Sequence, residues 1–118
     1  MSEESRKTIC VDFDGVIHSY GEGWKDGVVY GTPNDGAREV MKEYVDKGYK
    51  VVILTARIQP KYEDSKRQKV LMQEWLGQNG FIVGEHYHEI TNNKPSAIMY
   101  IDDKAVRFTN WDDMRRLV

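Results

Sequence analysis

Two short runs without a polar residue, Ile9-Cys10-Val11 and Val51-Val52-Ile53-Leu54, bracket a segment in which apolar residues return at helical spacing. A strand with one face in water alternates apolar and polar residues. An unbroken β-branched run therefore marks a strand covered on both faces. Between the runs Ala37, Val40, Met41, Tyr44 and Val45 form one apolar stripe, opened by Pro33 and Asn34-Asp35 and stopped by Gly48. Strand, helix, strand in that order make a parallel pair joined by a crossover. The expected fold is α/β: a three-layer, doubly wound, mostly parallel sheet of Rossmann-like layout, with helices on both faces.

The rest of the chain extends that pattern. Residues 8–13 read as the first strand. A second helix is expected from about 64 to 78, with Leu71, Met72, Trp75 and Leu76 inward and Gly80 at its end. Strands are expected at 81–83, 98–101 and 105–108, and a closing helix at 111–117. Residues 1–6 read as a frayed tail. Glycines at 21, 23, 27 and 31 argue against helix between His18 and Thr32, with Val28-Val29-Tyr30 as one arm of a hairpin. That stretch reads as a flap over the end of the first strand.

A chain of 118 residues suits one domain spanning 1–118. The net charge of −2 gives no global reason to expect a nucleic-acid or membrane partner, and nucleic acid enters only as a possible substrate. Lys61, Lys66, Arg67 and Lys69 form the one basic cluster, read as a solvated helix start. The lone Cys10, inside a strand, points to packing rather than to a disulfide or a zinc site. The polar start Met1-Ser2-Glu3-Glu4-Ser5-Arg6-Lys7 lacks the apolar core of a signal peptide, which makes the cytoplasm the expected compartment. Oligomeric state is not legible.

The polar residues that stand out lie at strand ends: Asp12 and Asp14, Thr55, and Asp102 with Asp103. Open parallel sheets bind ligands outside the carboxyl ends of their strands. Side chains two apart on a strand share a face, so Asp12 and Asp14 are expected to leave the sheet together. Two carboxylates about 4 Å apart repel by roughly 4 kcal/mol at an effective dielectric near 20. An all-carboxylate cluster without His or Cys spacing suits a hard cation, Mg²⁺ first, which is commonly shared with substrate phosphate. The chemistry implied is phosphoryl transfer, with an aspartate as nucleophile and a second carboxylate moving the proton.

Asp12-Phe13-Asp14-Gly15-Val16-Ile17 resembles the first signature of the haloacid dehalogenase superfamily. Thr55 resembles its second motif, Lys94 its third, and Asp102-Asp103 its acidic fourth, in the family's order over residues 8–108. The resemblance implies a phosphatase with Asp12 as the phosphoryl-accepting nucleophile and Asp14 as general acid/base. Thr55 would hydrogen-bond the transferring group and Lys94 would neutralise it. The Mg²⁺ ligands would come from Asp12, Asp14 (by its carbonyl), Asp102 and Asp103. Ala56 and Arg57, next to Thr55, are further candidates for substrate contact, although an ion pair at the rim suits Arg57 equally.

Two features set this chain apart from many relatives. Only seven residues separate Lys94 from Asp102, and Pro95 disfavours helical geometry at Lys94, so Lys94 is expected in a loop on a crossover near minimum length. No interval is long enough for a cap domain, so the site would be open to a bulky substrate. Two other functions stay in view: a phospho-accepting receiver-like signalling domain, and a non-catalytic binding relative. His18 suits substrate contact or flap packing, Trp24 and Tyr30 suit base stacking or loop anchoring, and His86 and His88 carry no assigned role.

Overall fold

The apolar run that opens the chain becomes the middle strand of a parallel sheet. The computed structural model describes residues 7–102 and 106–117; the tail at 1–6, Asp103 and part of the expected fifth strand lie outside the described residues. Five strands are described, β1 (Thr8–Asp12), β2 (Lys50–Leu54), β3 (Glu89–Thr91), β4 (Met99–Asp102) and β5 (Val106–Arg107). The sheet order is β3-β2-β1-β4-β5 and every pairing is parallel. Three α-helices accompany them: α1 (Ala37–Asp46), α2 (Ser65–Gln78) and α3 (Trp111–Arg116). No helix among the described residues is long and apolar enough to cross a membrane.

Register divides the sheet into two unlike faces. Ile9 stands beside Val51 and Met99, Val11 beside Ile53 and Ile101, and Ile53 beside Ile90. Neighbours in register share a face. All seven belong to one buried cluster with Ala37, Val40, Met41 and Tyr44 of α1, Met72, Trp75 and Leu76 of α2, and Trp111 and Met114 of α3. The three helices therefore cover the same face. Each large apolar side chain fully buried there contributes about 1.5–3 kcal/mol, which is why Val40→Asp would undo α1. The buried Tyr44 hydroxyl donates to the Met114 carbonyl at 2.7 Å and ties α1 to α3.

The other face carries Thr8, Cys10, Val52 and Tyr100. Here the expectation of helices on both faces is corrected. The segment covering Tyr100 is the crossover of residues 92–98, which has no helix. The Tyr100 hydroxyl donates to the Pro95 carbonyl at 2.6 Å and accepts from the Ala97 N–H at 3.0 Å. The reason is topological. The chain moves outward from β1 to β3 and must then return past β1 to β4; keeping the same hand while reversing direction puts the return on the opposite face. Seven residues span that distance extended, with none left for a helix.

The expected third strand is corrected too. Phe81 is buried, but Ile82 and Val83 are exposed and the chain turns at Gly84; the strand is Glu89–Thr91. The remaining elements lie within a residue or two of their expected places. The expected hairpin arm Val28-Val29-Tyr30 forms no strand. The base of the flap is closed by the Ser19 N–H to the Thr32 carbonyl and an isolated His18–Pro33 bridge, and side chains hold the rest. The Tyr30 hydroxyl accepts from the Glu22 N–H and donates to the Gly23 carbonyl, and Trp75 Nε1 donates to the Gly31 carbonyl.

Candidate functional site at the carboxyl rim

The carboxyl ends of β1, β2 and β4 line one rim. Asp12 ends β1 and Asp102 ends β4, one step beyond the Val11–Ile101 pair in the same register. Both follow the alternation of Cys10 and Tyr100, so they stand on the crossover face. Lys94, in the crossover as expected, holds its Nζ 4.4 Å from the Tyr100 ring centroid. The Cys10 thiol lies within the field of all three. Burial above all raises it to about 12, with Lys94 opposing the rise and Asp12 and Asp102 adding to it. Thr55 follows β2, where its N–H donates to the Thr91 carbonyl and its Oγ1 accepts from the Arg57 N–H at 3.1 Å. That bond caps the short 3-10 helix Ala56–Ile58 and leaves the hydroxyl hydrogen to donate elsewhere.

Asp14 has different partners. Because β1 ends at Asp12, strand alternation no longer dictates where Asp14 points; Gly15, at φ 85, turns the chain there. The N–H groups of Val16, Ile17 and His18 all approach the Phe13 carbonyl, winding one tight turn. The Asp14 carboxylate receives Arg57 Nε at 2.7 Å and Nη2 at 2.9 Å, a bidentate pair, and His18 Nδ1 at 2.9 Å. Burial pushes the Asp14 carboxyl up, but the hydrogen bonds from His18 and Arg57 outweigh it and hold the group below its ordinary value. Asp14 is ionised in the resting structure.

The groups that hold that carboxylate are themselves held by further hydrogen bonds. His18 is wholly buried and its Nε2 accepts from the Gly31 N–H at 3.0 Å, so its proton resides on Nδ1 and points at Asp14. Arg57 Nη1 donates to the Gly27 carbonyl at 2.9 Å and to Gln68 Oε1 at 3.2 Å. Gln68 Nε2 in turn donates to Asp64 at 2.8 Å. Arg57 thus ties the flap and α2 to Asp14, with its side chain only 3% exposed. Of the two roles open to it from sequence, the geometry is that of the ion pair. His18, four residues from Asp14, packs beneath the flap as one of its two expected roles had it, while Gln68, which reaches Asp14 only through Arg57, had no legible signal.

Beside Asp14 opens a cleft of about 800 Å³ between the flap and the segment leading into α2. Tyr20 and Trp24 form the flap side; exposed Ala56, Lys61 and Tyr62 lie across from them. Tyr20 has φ 47, a left-handed conformation that a bulky residue adopts only when its surroundings impose it. The Arg57 guanidinium carbon lies 5.0 Å from the Trp24 ring centroid and 5.9 Å from that of Tyr20. Asp12, Asp102 and Lys94 do not line this cleft.

Among the described residues no three His, Cys, Asp or Glu side chains converge at metal-binding distance. Asp12 and Asp102 are two hard oxygen donors on one face, and Asp103 lies outside the described residues. Two carboxylates are a fitting set for Mg²⁺, which commonly completes its shell with water and substrate phosphate. Comparison with known protein families, with curated protein sequences and with solved structures found no match.

Proposed function

We propose that this chain is a haloacid-dehalogenase-like phosphatase, a Mg²⁺-dependent hydrolase of phosphomonoesters that works through a phosphorylated Asp12. The observation that carries the reading is the meeting of Asp12 and Asp102 at adjoining strand ends, on the face where Lys94 lies, with Thr55 on the next strand end. Asp12 and Asp102, with Asp103, would hold Mg²⁺, which when bound neutralises charge on the phosphoryl oxygens.

In the first step an Asp12 carboxylate oxygen attacks phosphorus. The ester P–O bond breaks, and the departing alcohol oxygen keeps the electron pair and takes a proton. In the second, water attacks the aspartyl phosphate and gives its proton to Asp14; the bond to Asp12 breaks and inorganic phosphate leaves. Lys94 and the Thr55 hydroxyl supply positive charge and a donor for the phosphoryl group. The resting Asp14 is a carboxylate and suits the second step directly. For the first step it needs a proton. The substrate dianion promotes that, since a nearby negative charge raises a carboxyl pKa.

The receiver-like alternative fits less well, because β1 here lies between β2 and β4, whereas flavodoxin-like domains order their strands β2-β1-β3-β4-β5. Incubation with an aryl phosphate, with and without Mg²⁺ and beside Asp12→Asn, tests the proposal. Repeated turnover that needs both the metal and Asp12 supports it. A single long-lived phosphorylation favours the receiver, and inertness towards a broad phosphate panel favours a binding protein.

A further inference from the structure

The cleft beside Asp14 presents two largely exposed aromatic side chains that lie outside the buried core. Trp24 is 56% exposed and Tyr62 47%, in a chain whose other two tryptophans, Trp75 and Trp111, are buried. The flap is anchored by Tyr30 and Gly31, through the hydrogen bonds to Glu22, Gly23 and Trp75, and not by Trp24. Trp24 and Tyr62 approach the same cleft from different segments, and each has a cation near its ring: Arg57 for Trp24 and Lys61, at 5.3 Å, for Tyr62. Exposed aromatic faces with a cation nearby are the surfaces on which nucleobases stack. At about 800 Å³ the cleft has the size of a small-molecule site.

Charge narrows the choice. The cleft is lined by three carboxylates, Asp14, Glu63 and Asp64, against two cations, Arg57 and Lys61. Arg57 and Asp64 are already engaged, with Asp14 and with Arg67 and Gln68. Such a lining receives a neutral ring and disfavours a second phosphate or a polyanionic strand. The cleft also runs up to Asp14, the group that would hand a proton to the departing alcohol.

Resting on the phosphatase reading, we propose that this cleft seats the alcohol half of the substrate, and that this half is a nucleoside. The substrates are then nucleoside monophosphates, with the base stacked between Trp24 and Tyr62 and the phosphate at Asp12.

Two measurements on the full chain separate this proposal from the reading beneath it. The first titrates unphosphorylated adenosine against intrinsic tryptophan fluorescence, to which Trp24 is the one exposed contributor. Saturable quenching that ribose does not reproduce, and that Trp24→Leu removes, is expected; absence of quenching overturns the proposal. The second compares kcat/KM for adenosine 5′-phosphate and ribose 5-phosphate. The nucleotide should be favoured by roughly ten- to a hundredfold, the worth of a base stacked on an aromatic face, and the ratio should fall towards one in Trp24→Leu. Equal rates for the two esters overturn the proposal while leaving a phosphatase standing. Quenching without hydrolysis of any ester supports the cleft and defeats the phosphatase. A terminally phosphorylated oligonucleotide preferred over the mononucleotide overturns the assignment to mononucleotides.

Discussion

Replacing Arg57 with Met tests the buried pair around which the flap is organised. Methionine approximates the length of the arginine stem and removes all four hydrogen bonds of the guanidinium: two to Asp14, one to Gly27 and one to Gln68. Breaking a buried ion pair from one side costs about 3–5 kcal/mol, because the remaining charge is left without compensation. The Asp14 side chain keeps 23% exposure, so water recovers part of that loss and the lower end, about 3 kcal/mol, applies. For a domain of this size roughly 4 °C of Tm accompanies each kcal/mol, giving a fall of about 12 °C at neutral pH. The Asp14 carboxyl is held below its ordinary 3.8 in the folded chain. The stability it confers is therefore full above that value and is lost as pH falls through the lower folded value. Melting curves at pH 7 and pH 3 should show the gap between wild type and Arg57→Met narrowing at the acid end. In an Asp14→Asn background the same substitution should cost at least about 1 kcal/mol less, since the pair is then absent on both sides. A Tm change under about 4 °C, or a gap indifferent to pH, would refute the claim that the pair is buried and organising.

Other consequences are open to measurement. Gly27→Ala puts a methyl group against the Gln68 side-chain amide at a φ of +80, so either that amide or the flap must shift and the bonds that both make to Arg57 loosen; a loss of about 2 kcal/mol and faster proteolysis within residues 18–32 are expected. The Cys10 thiol, buried and raised to about 12, should resist alkylation at pH 8 in the folded protein and react at once in denaturant. Tyr44→Phe removes the buried bond to the Met114 carbonyl and should cost about 1–2 kcal/mol by chemical denaturation, without altering flap proteolysis.

The sequence was most legible where one face of an element is buried among apolar neighbours. The α1 stripe, the runs of β1 and β2, and the position of β4 follow from spacing alone. The third strand was misread because apolar content was taken as its mark. Glu89-Ile90-Thr91 lies at the sheet edge with helices on one side only, so just Ile90 needed to be apolar. Phe81-Ile82-Val83 looked like a buried run, yet only Phe81 enters the core. The missing second helical layer was foreshadowed by the short interval around Lys94, whose consequence for the sheet depended on knowing where β3 ends. At the site, Asp12, Thr55 and Asp102 stand at strand ends, as their places at the close of apolar runs led one to expect. The anchoring of Asp14 was not legible, because Arg57 lies 43 positions away and nothing local distinguishes a buried arginine from an exposed one.

The hydrogen bond from the Gly31 N–H to His18 also has a spectroscopic consequence. Both imidazole nitrogens are occupied and the ring is shut away from water, so the Nδ1 proton exchanges only when the loop lifts. Its NMR resonance should survive at ambient temperature, shifted downfield by the carboxylate it faces. Broadening of that single line would time the opening of the flap without any label attached to the flap itself.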